Sequence, residues 1–447
     1  MTLPDSLAET APSEILFPDD PFDVRLALRA SGLLRAFNDA AVITSADVHV
    51  AQRLARLGGE PNEAVLLAIA LTVRGVRSGS VCVDLDQLRS QLSLVHPELP
   101  WPDPMSWLPA VAASPLVGAH RPLRFEYGLL YLDRYRRQEE QVRRDLLIRE
   151  GLPPPVVNTS VLAAGLQRLL PGADAQQQRR AAEIAATQWT TVLGGGPGTG
   201  KTTTVARILA LLLGQSPTPL RVAMAAPTGK AAARLQAAVQ TEAGTFPTGD
   251  QHQLTTLTAS TLHRLLGWVP GGGTRFRHNR DNRLPFDVVV VDETSMVSLT
   301  MMARLLEAVR PDARLILVGD PDQLASVEAG AVLADLVAGL TARAAQLAPV
   351  GAKRGDGGGV VLLRKTWRFS GAIAELAAAV RDGDSDAAIG VLSRAGSDVA
   401  LVDHDDPGIR ADVVGAASMV REAARSGDGA AALSRLELHR LLCAHRT

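Results

Sequence analysis

The densest chemical signal in this chain is the run GGPGTGKT at Gly195–Thr202. It fits the spacing G-x-x-x-x-G-K-[ST] and stands between an apolar run, Val192–Leu193, and an alanine- and leucine-rich run, Thr203–Leu213. That flanking is what the spacing needs: a strand, a glycine-rich turn, then a helix. Glycines without Cβ atoms let consecutive backbone N–H groups curl around an anion. Lys201 is expected to bring positive charge to the β- and γ-phosphates, and the Thr202 hydroxyl to ligate Mg2+. The following helix, from Thr203, adds its positive dipole end. Gly195, Gly196, Pro197, Gly198, Thr199, Gly200, Lys201, Thr202 and Thr203 together form the expected ATP-binding loop.

Asp287–Val297 (DVVVVDETSMV) is a fully apolar run that ends in two carboxylates. A buried parallel strand presents its C-terminal residues to the ligand crevice of an open α/β sheet. Asp292 suits Mg2+, and Glu293 suits the base that orients and deprotonates an attacking water. An acidic pair after a strand is otherwise a helix cap, but this one follows a phosphate-loop motif. A third apolar run, Leu315–Val318, leads into GDPDQL, where the amide of Gln323 could sense a γ-phosphate; a turn with a capping aspartate is the plainer reading. Ala225–Leu235 (AAPTGKAAARL) and Ala259–Trp268 (ASTLHRLLGW) place hydroxyl and basic groups where a nucleic-acid strand could be tracked by its phosphates. Pro227, Thr228, Thr261 and His263 are the candidate DNA contacts, although a histidine like His263 is more often a hydrogen-bonded core residue.

These groups need a scaffold. From about residue 151 the chain alternates short β-branched runs (Thr190–Leu193, Arg221–Ala225, Val288–Val291, Leu315–Val318) with glycine turns and helical stretches, which predicts an α/β fold with a parallel sheet. Thr241–Thr258 and Pro270–Pro285 read as surface loops inserted into it. Residues 1–22 read as a flexible leader and 23–150 as a mostly helical domain. GLPPP at Gly151–Pro155 begins a linker, 151–164. The ATPase domain is expected over 165–347, and APVGAKRGDGGG marks the break before a last segment, 348–447. Leu123–Glu140 reads as a short strand pair running into a charged helix. Arg134, Arg136 and Arg137 sit beside Glu139 and Glu140 and read as a solvated helix face, while Tyr127, Tyr131 and Tyr135, spaced by four, read as a packing stripe.

Across 447 residues the net charge is −1, with 46% hydrophobic and 21% charged residues. A DNA site must then be a local patch, or be shared with a more basic partner. Two cysteines, Cys82 and Cys443, exclude a four-cysteine zinc or iron–sulfur site within the chain. No secretory signal is read at MTLPDSLAET and no apolar run approaches a membrane span, so the expected compartment is the cytoplasm and no membrane partner is expected.

Taken in order, these blocks resemble superfamily 1 helicases, most closely the RecD-type alpha subunit of exodeoxyribonuclease V (RecBCD). Gly195–Thr202 matches the Walker A motif, APTGKA (Ala226–Ala231) and TLHRL (Thr261–Leu265) the DNA-contacting blocks, DETS (Asp292–Ser295) the DExx box, and GDPDQL (Gly319–Leu324) motif III. The resemblance further implies that Gln178 reads adenine and that Arg368, in KTWRF (Lys365–Phe369), reaches the nucleotide as the motif IV arginine. It implies a RecA-like P-loop NTPase domain, a preceding partner-docking domain carried by GSVCVDL (Gly79–Leu85) and LYLDRYR (Leu130–Arg136), and the start of a second, incomplete RecA-like domain. The implied cofactors are ATP and Mg2+. The implied partners are DNA and the beta and gamma subunits, RecB and RecC, in an ATP-dependent helicase that unwinds duplex ends for recombinational repair. No motif V or VI is found downstream of Arg368, so the chain is expected to bind ATP while lacking part of the positive clamp on the transition state. Two other readings are a P-loop ATPase switch and a non-catalytic assembly module. No cluster of acidic and lysine residues with metal spacing lies outside the ATP site, so nuclease activity is expected in a partner.

Overall fold

A computed structural model describes residues 23–216, 218–269, 271, 275–323, 328–347, 358–367, 370–394, 398–403 and 405–442. Two compact units divide at 367/368.

In the first unit, helices α1 (Gly32–Asp39), α2 (Ser45–Gly58) and α3 (Glu63–Arg77) open a helical domain. Almost the whole length of α3 is buried, from Val65 through Leu67, Ile69 and Leu71 to Gly75, because its sequence EAVLLAIALTV is apolar on every side. Around it pack β1 (Cys82–Asp84), α4 (Leu85–Val95), α5 (Pro104–Ala113) and the hairpin β2 (Leu123–Glu126) and β3 (Leu129–Leu132). Trp107 is buried and donates its indole N–H to the Ala64 carbonyl at 2.8 Å. The three strands form a small antiparallel sheet in the order β1-β3-β2.

Helix α6 (Asp133–Glu150) leaves this domain and runs across the next. It packs on α13 (Leu299–Ala308): Gln138 Oε1 accepts from the Thr300 hydroxyl at 3.0 Å, and the Gln141 amide donates to the Ala303 carbonyl at 3.0 Å. The predicted tyrosine stripe does not form. A period of four holds only on one helix, and the three residues fall on a turn, a strand and a helix: Tyr131 is buried on β3, whereas Tyr127 at the hairpin tip is 86% exposed.

The second part of the unit is a six-stranded parallel sheet. In chain order its elements are α7 (Thr159–Leu169), α8 (Gln176–Thr187), β4 (Thr190–Gly195), α9 (Lys201–Gln215), β5 (Val222–Ala226), α10 (Gly229–Ala243), α11 (Thr248–Thr255), β6 (Ala259–Thr261), α12 (Leu262–Leu266), β7 (Val288–Val291), α13, β8 (Arg314–Gly319), α14 (Val332–Leu347) and β9 (Val360–Leu363). The strand order is β6-β5-β7-β8-β4-β9. Both faces are covered, which is why the strands read as continuous apolar runs rather than alternating ones. Val288 and Val290 join one core with Leu193, Ile316 and helices α7–α10, while Val289 and Val291 join the other with Leu317, Met302 and Leu306.

Three boundaries differ from those expected. The linker is shorter than 151–164, because α7 begins at Thr159 and seats Leu162 and Leu166 in the core beside α9. The first predicted surface insertion contains a helix, α11, whose Leu254 is buried. The following segment was expected to start at 348, yet Val360–Leu363 pairs with β4 as an edge of this sheet, Val361 lying opposite Leu193. Its Val360, Val361 and Leu363 are buried, and the place of the strand is set by pairing with β4, which no local pattern reports.

The second unit, within its described residues, consists of α15 (Ala372–Asp382), α16 (Ser385–Leu392), α17 (Pro407–Arg425) and α18 (Gly429–Leu438). No helix among the described residues is long and apolar enough to cross a membrane.

Candidate active site

Strands β4, β7 and β8 are neighbours in the sheet and parallel, so their C-terminal ends open on one crevice. Gly194 lies opposite Gly319, and Val291 opposite Leu317. The loops that follow carry the glycine-rich run, the carboxylate pair and the amide. This register brings together residues separated by more than a hundred positions.

The first loop leaves β4 with a sharply turned backbone that only glycine can follow. Gly195 has φ +157°, and a Cβ there would come within 2.7 Å of the Leu363 carbonyl and the Thr199 hydroxyl. No side chain could be accommodated. Gly200, φ +83°, caps α9 in the left-handed region. Thr199 is buried and donates its hydroxyl to the Gly196 carbonyl at 2.8 Å, closing the loop on itself. Lys201 folds back over it, with Nζ 2.5 Å from the Gly195 carbonyl and 3.0 Å from that of Gly196. Its ammonium group therefore sits at the mouth of the loop. Thr202 and Thr203, in the first turn of α9, are half-buried.

Asp292 follows β7, its N–H donating to the Ala225 carbonyl at 2.9 Å. Burial pushes its carboxyl up to about 6, against the N–H of Glu293, which donates to it at 2.9 Å; the Glu293 charge raises it further and Lys201 draws it down. A carboxylate so disfavoured by its surroundings wants a cation, and Lys201 is near enough to be felt. This environment fits a divalent ion held beside the phosphate loop. Glu293 adopts φ +52°. A non-glycine residue in the left-handed region is strained, and such strain concentrates at sites where a side chain must be aimed. Here it starts the short helical turn Thr294–Met296, held by the Thr294 hydroxyl on the Val291 carbonyl at 2.9 Å.

Gln323, exposed after β8, meets that turn: the Ser295 hydroxyl donates to its Oε1 at 3.3 Å. The contact needs Gly319, since a Cβ there would stand 3.1 Å from the Ser295 nitrogen and 3.2 Å from that of Thr294. Ser295 is a site residue that sequence reasoning did not single out. Its only signal was its place in DETS.

Gln178, on α8, is half-buried, and its Oε1 is enclosed without a hydrogen-bond partner. An orphaned buried acceptor is costly unless a ligand supplies the donor, and the exocyclic amine of adenine is such a donor. The neighbouring segment is tied to the chain beyond β9: Gln177 Oε1 accepts from the Arg364 N–H at 2.9 Å, and Lys365 pairs with Asp174 at 2.9 Å. Trp367 then reaches the phosphate loop. Its N–H donates to the Gly198 carbonyl at 2.8 Å, its ring stands against Gly200, and the Lys365 ammonium lies 4.3 Å from the ring centroid. Trp367 was also missed, the only signal being its adjacency to Arg368. Arg368 itself lies outside the described residues, as does Leu324 of the GDPDQL run.

The candidate DNA contacts sit at the next strand ends. Ala226 pairs with Thr261, so Pro227 and Thr228 after β5 lie beside Thr261 at the end of β6. Thr228 and Thr261 cap α10 and α12, accepting from Ala231 and Arg264 at 3.2 Å each. Between them a groove of about 360 Å³ is lined by Gly229, Gln236, Ser260, Thr261 and Arg264. His263 is exposed, its ring 5.8 Å from that of Phe276, and so does not occupy a core.

A parallel sheet that presents a phosphate loop, a carboxylate pair and an amide at three adjacent strand ends defines a RecA-like P-loop ATPase domain. Two family models match: "AAA domain" over residues 178–329 and "RecBCD enzyme subunit RecD, N-terminal domain" over 39–131. The chain is 55% identical over 421 residues to the RecBCD enzyme subunit RecD of Mycolicibacterium smegmatis, covering 93% of this chain and 71% of that protein. It is 54% identical over 437 residues to the same subunit of Mycobacterium tuberculosis, covering 95% and 71%. A shorter match, 48% over 141 residues, links it to the ATP-dependent RecD2 DNA helicase of Deinococcus radiodurans, covering 31% of this chain and 16% of that one. The chain belongs to the RecD family, the RecD subunits of RecBCD enzymes.

Proposed function

We propose that this chain is an ATP-driven DNA translocase, the RecD subunit of a three-subunit exodeoxyribonuclease V, working in the cytoplasm with RecB and RecC on duplex ends. The observation that carries the reading is the meeting of Lys201, Asp292, Glu293 and Gln323 at adjacent strand ends beside the closed loop Gly195–Gly200. Thr202 and Asp292 would hold Mg2+, which would supply positive charge to the phosphates when bound. Lys201 leaves its loop carbonyls for the phosphate oxygens, exchanging two neutral acceptors for charged ones. Glu293 orients a water in line with the γ-phosphorus and takes its proton. Gln323, its carbonyl held by Ser295, directs its NH2 group to the γ-phosphate and loses that partner on hydrolysis. Pro227, Thr228, Thr261 and His263 grip one DNA strand at the neighbouring ends, so loss of the γ-phosphate changes the grip.

Stimulation of ATP turnover by single-stranded DNA tests this reading in the complex with RecB and RecC. A strong rise that a Lys201→Gln chain fails to show supports it. Turnover indifferent to DNA would favour a P-loop switch instead.

The adenine contact has its own test. Gln178→Leu is expected to raise the KM for ATP by about tenfold, the effect of losing one hydrogen bond to a buried acceptor, and to erode discrimination against GTP. Equal KM values would remove Gln178 from the base site. Trp367 supplies a spectroscopic check, since its half-exposed ring stands on the phosphate loop. Adding ATP should change the tryptophan fluorescence, and Trp367→Phe should abolish most of that change although four other tryptophans remain.

A further inference from the structure

The turn that ends α3 meets the connection between β8 and α14, the same connection that carries Gln323. Gly79, with φ +90°, terminates the helix in a backbone region that favours glycine. Its N–H returns to the Val76 carbonyl at 3.1 Å, and the Ser80 N–H returns to the Gly75 carbonyl at 2.9 Å. A peptide unit is planar and trans, so with its Ser80 N–H aimed back into α3 its Gly79 carbonyl is aimed out of the helix. That carbonyl accepts from the Gly330 N–H at 2.9 Å. Val81, close by in the chain, packs with the core of the large sheet, which includes Val332 and Leu333, rather than with the core around α3.

Gly330 is held closely by the ATPase domain as well. It is buried with φ +113°, and a Cβ there would stand 3.0 Å from the Cβ of Leu299 and 3.3 Å from its nitrogen. The Leu299 N–H donates to the Ala329 carbonyl at 3.3 Å. Leu299 opens α13, just after the turn Thr294–Met296 that presents Ser295. Leu333, at the start of α14, meets the other limb of the site. Its Cδ2 lies 2.6 Å from where a Cβ on Gly319 would stand, at the strand end that leads to Gln323. Segment 329–333 therefore touches both limbs whose Ser295 and Gln323 side chains meet, and Gly79 is bonded to its backbone. Attachment of the helical domain does not depend on that bond, because α6 already supplies it through Gln138, Gln141 and Arg149.

We propose that Gly79 is a positioning residue for ATP hydrolysis: acting through Gly330 and Leu333, it steadies the contact between Ser295 and Gln323. The helical domain is then part of the device that reads the γ-phosphate, and not only a docking platform. A junction that merely joins two domains is the competing account, and it predicts no special relation between Gly79 and Gln323. The inference rests on the reading of Gln323 as the γ-phosphate sensor.

The test is a double-mutant cycle on DNA-stimulated ATP turnover in the complex with RecB and RecC. Space is open at Gly79, with nothing within 4 Å of a Cβ, so a substitution there acts first through the backbone. Gly79→Val, whose β-branched side chain resists a positive φ, is expected to lower kcat about tenfold, the scale of a small misplacement of a reacting group. The KM for ATP should stay within about twofold, because the phosphate loop is untouched. Gly79→Asn, which tolerates that backbone region, should recover most of the turnover. Gln323→Ala alone is expected to cost roughly 100-fold in kcat. Adding Gly79→Val to it should cost nothing more, since both changes act on one group. A further loss of about tenfold in the double variant would show that Gly79 acts elsewhere. An unchanged kcat in Gly79→Val, with Gln323→Ala impaired, would overturn the positioning role and leave the sensor standing. If Gly79→Val does not fold, Val81→Ala thins the same junction and carries the same cycle. Parent-like turnover in Gln323→Ala would sink the sensor reading and this inference with it.

Discussion

Lys201→Gln should abolish ATP turnover while leaving the melting temperature within a degree or two of the parent. The ammonium group bonds the Gly195 and Gly196 carbonyls of a loop that is already closed by the Thr199 hydroxyl. Glutamine can reach those carbonyls with its own NH2 group, so the fold loses little. The chemistry loses far more. Charge spreads over the γ-phosphate oxygens as the bond to the leaving group breaks, and removing one donor aimed at such developing charge costs roughly 100- to 1000-fold in kcat. ATP affinity should fall less than turnover, since the lysine helps most when the charge is greatest. Steady-state hydrolysis and equilibrium nucleotide binding on the same preparation would separate the two. A variant that bound ATP poorly but turned it over at the parent rate would show the lysine to be a ground-state anchor.

The largest expected effect on stability lies far from the nucleotide, at Arg149. This residue is 2% exposed at the end of α6, and burial holds its guanidinium down to about 10. It donates to the Thr190 hydroxyl at 2.9 Å and to the carbonyls of Trp189 at 2.7 Å, Arg310 at 2.8 Å and Ala313 at 2.5 Å. Those acceptors lie at the entering ends of β4 and β8, the two strands whose far ends carry the phosphate loop and Gln323. One side chain from the preceding helix thus satisfies the backbone where the sheet begins. Arg149→Ala would leave a cavity and several unpaired buried carbonyls, at a cost of about 3–5 kcal/mol. For a unit of this size that corresponds to roughly 5 °C in the melting temperature. Arg149→Met, which fills the space without donors, should recover only part of it. Thermal unfolding of the three chains side by side decides the matter; if Arg149→Met matched the parent, the carbonyls would be finding water and the guanidinium would be dispensable.

The site residues legible in the sequence share a property. The loop Gly195–Thr202 is recognised because a phosphate nest is built from consecutive backbone N–H groups, and consecutive residues are what a sequence displays. The four valines of β7 announce a strand buried on both faces, and the carboxylates directly after it inherit their place in the crevice. Gln178 was found only through resemblance. Its enclosed, unpartnered carbonyl became visible when α8 was packed beside the chain beyond β9.

What stayed hidden depends on partners distant in the chain. Ser295 and Gln323 are 28 residues apart, and Arg149 reaches carbonyls more than 160 residues away. Strand β9 took its place only by pairing with β4. Tyr127 was misjudged for the same reason: a spacing of four carries meaning on one helix, and the chain there turns instead.

The sequence by itself therefore determined the local chemistry of this protein, namely which loop wraps a phosphate, which strand is buried and which acids follow it. Hydrogen bonding and side-chain periodicity within a few residues suffice for that. Tertiary structure alone decided which of these ends face one another and what holds them there, because those outcomes follow from strand order and helix docking, whose free energy is spread over the whole core.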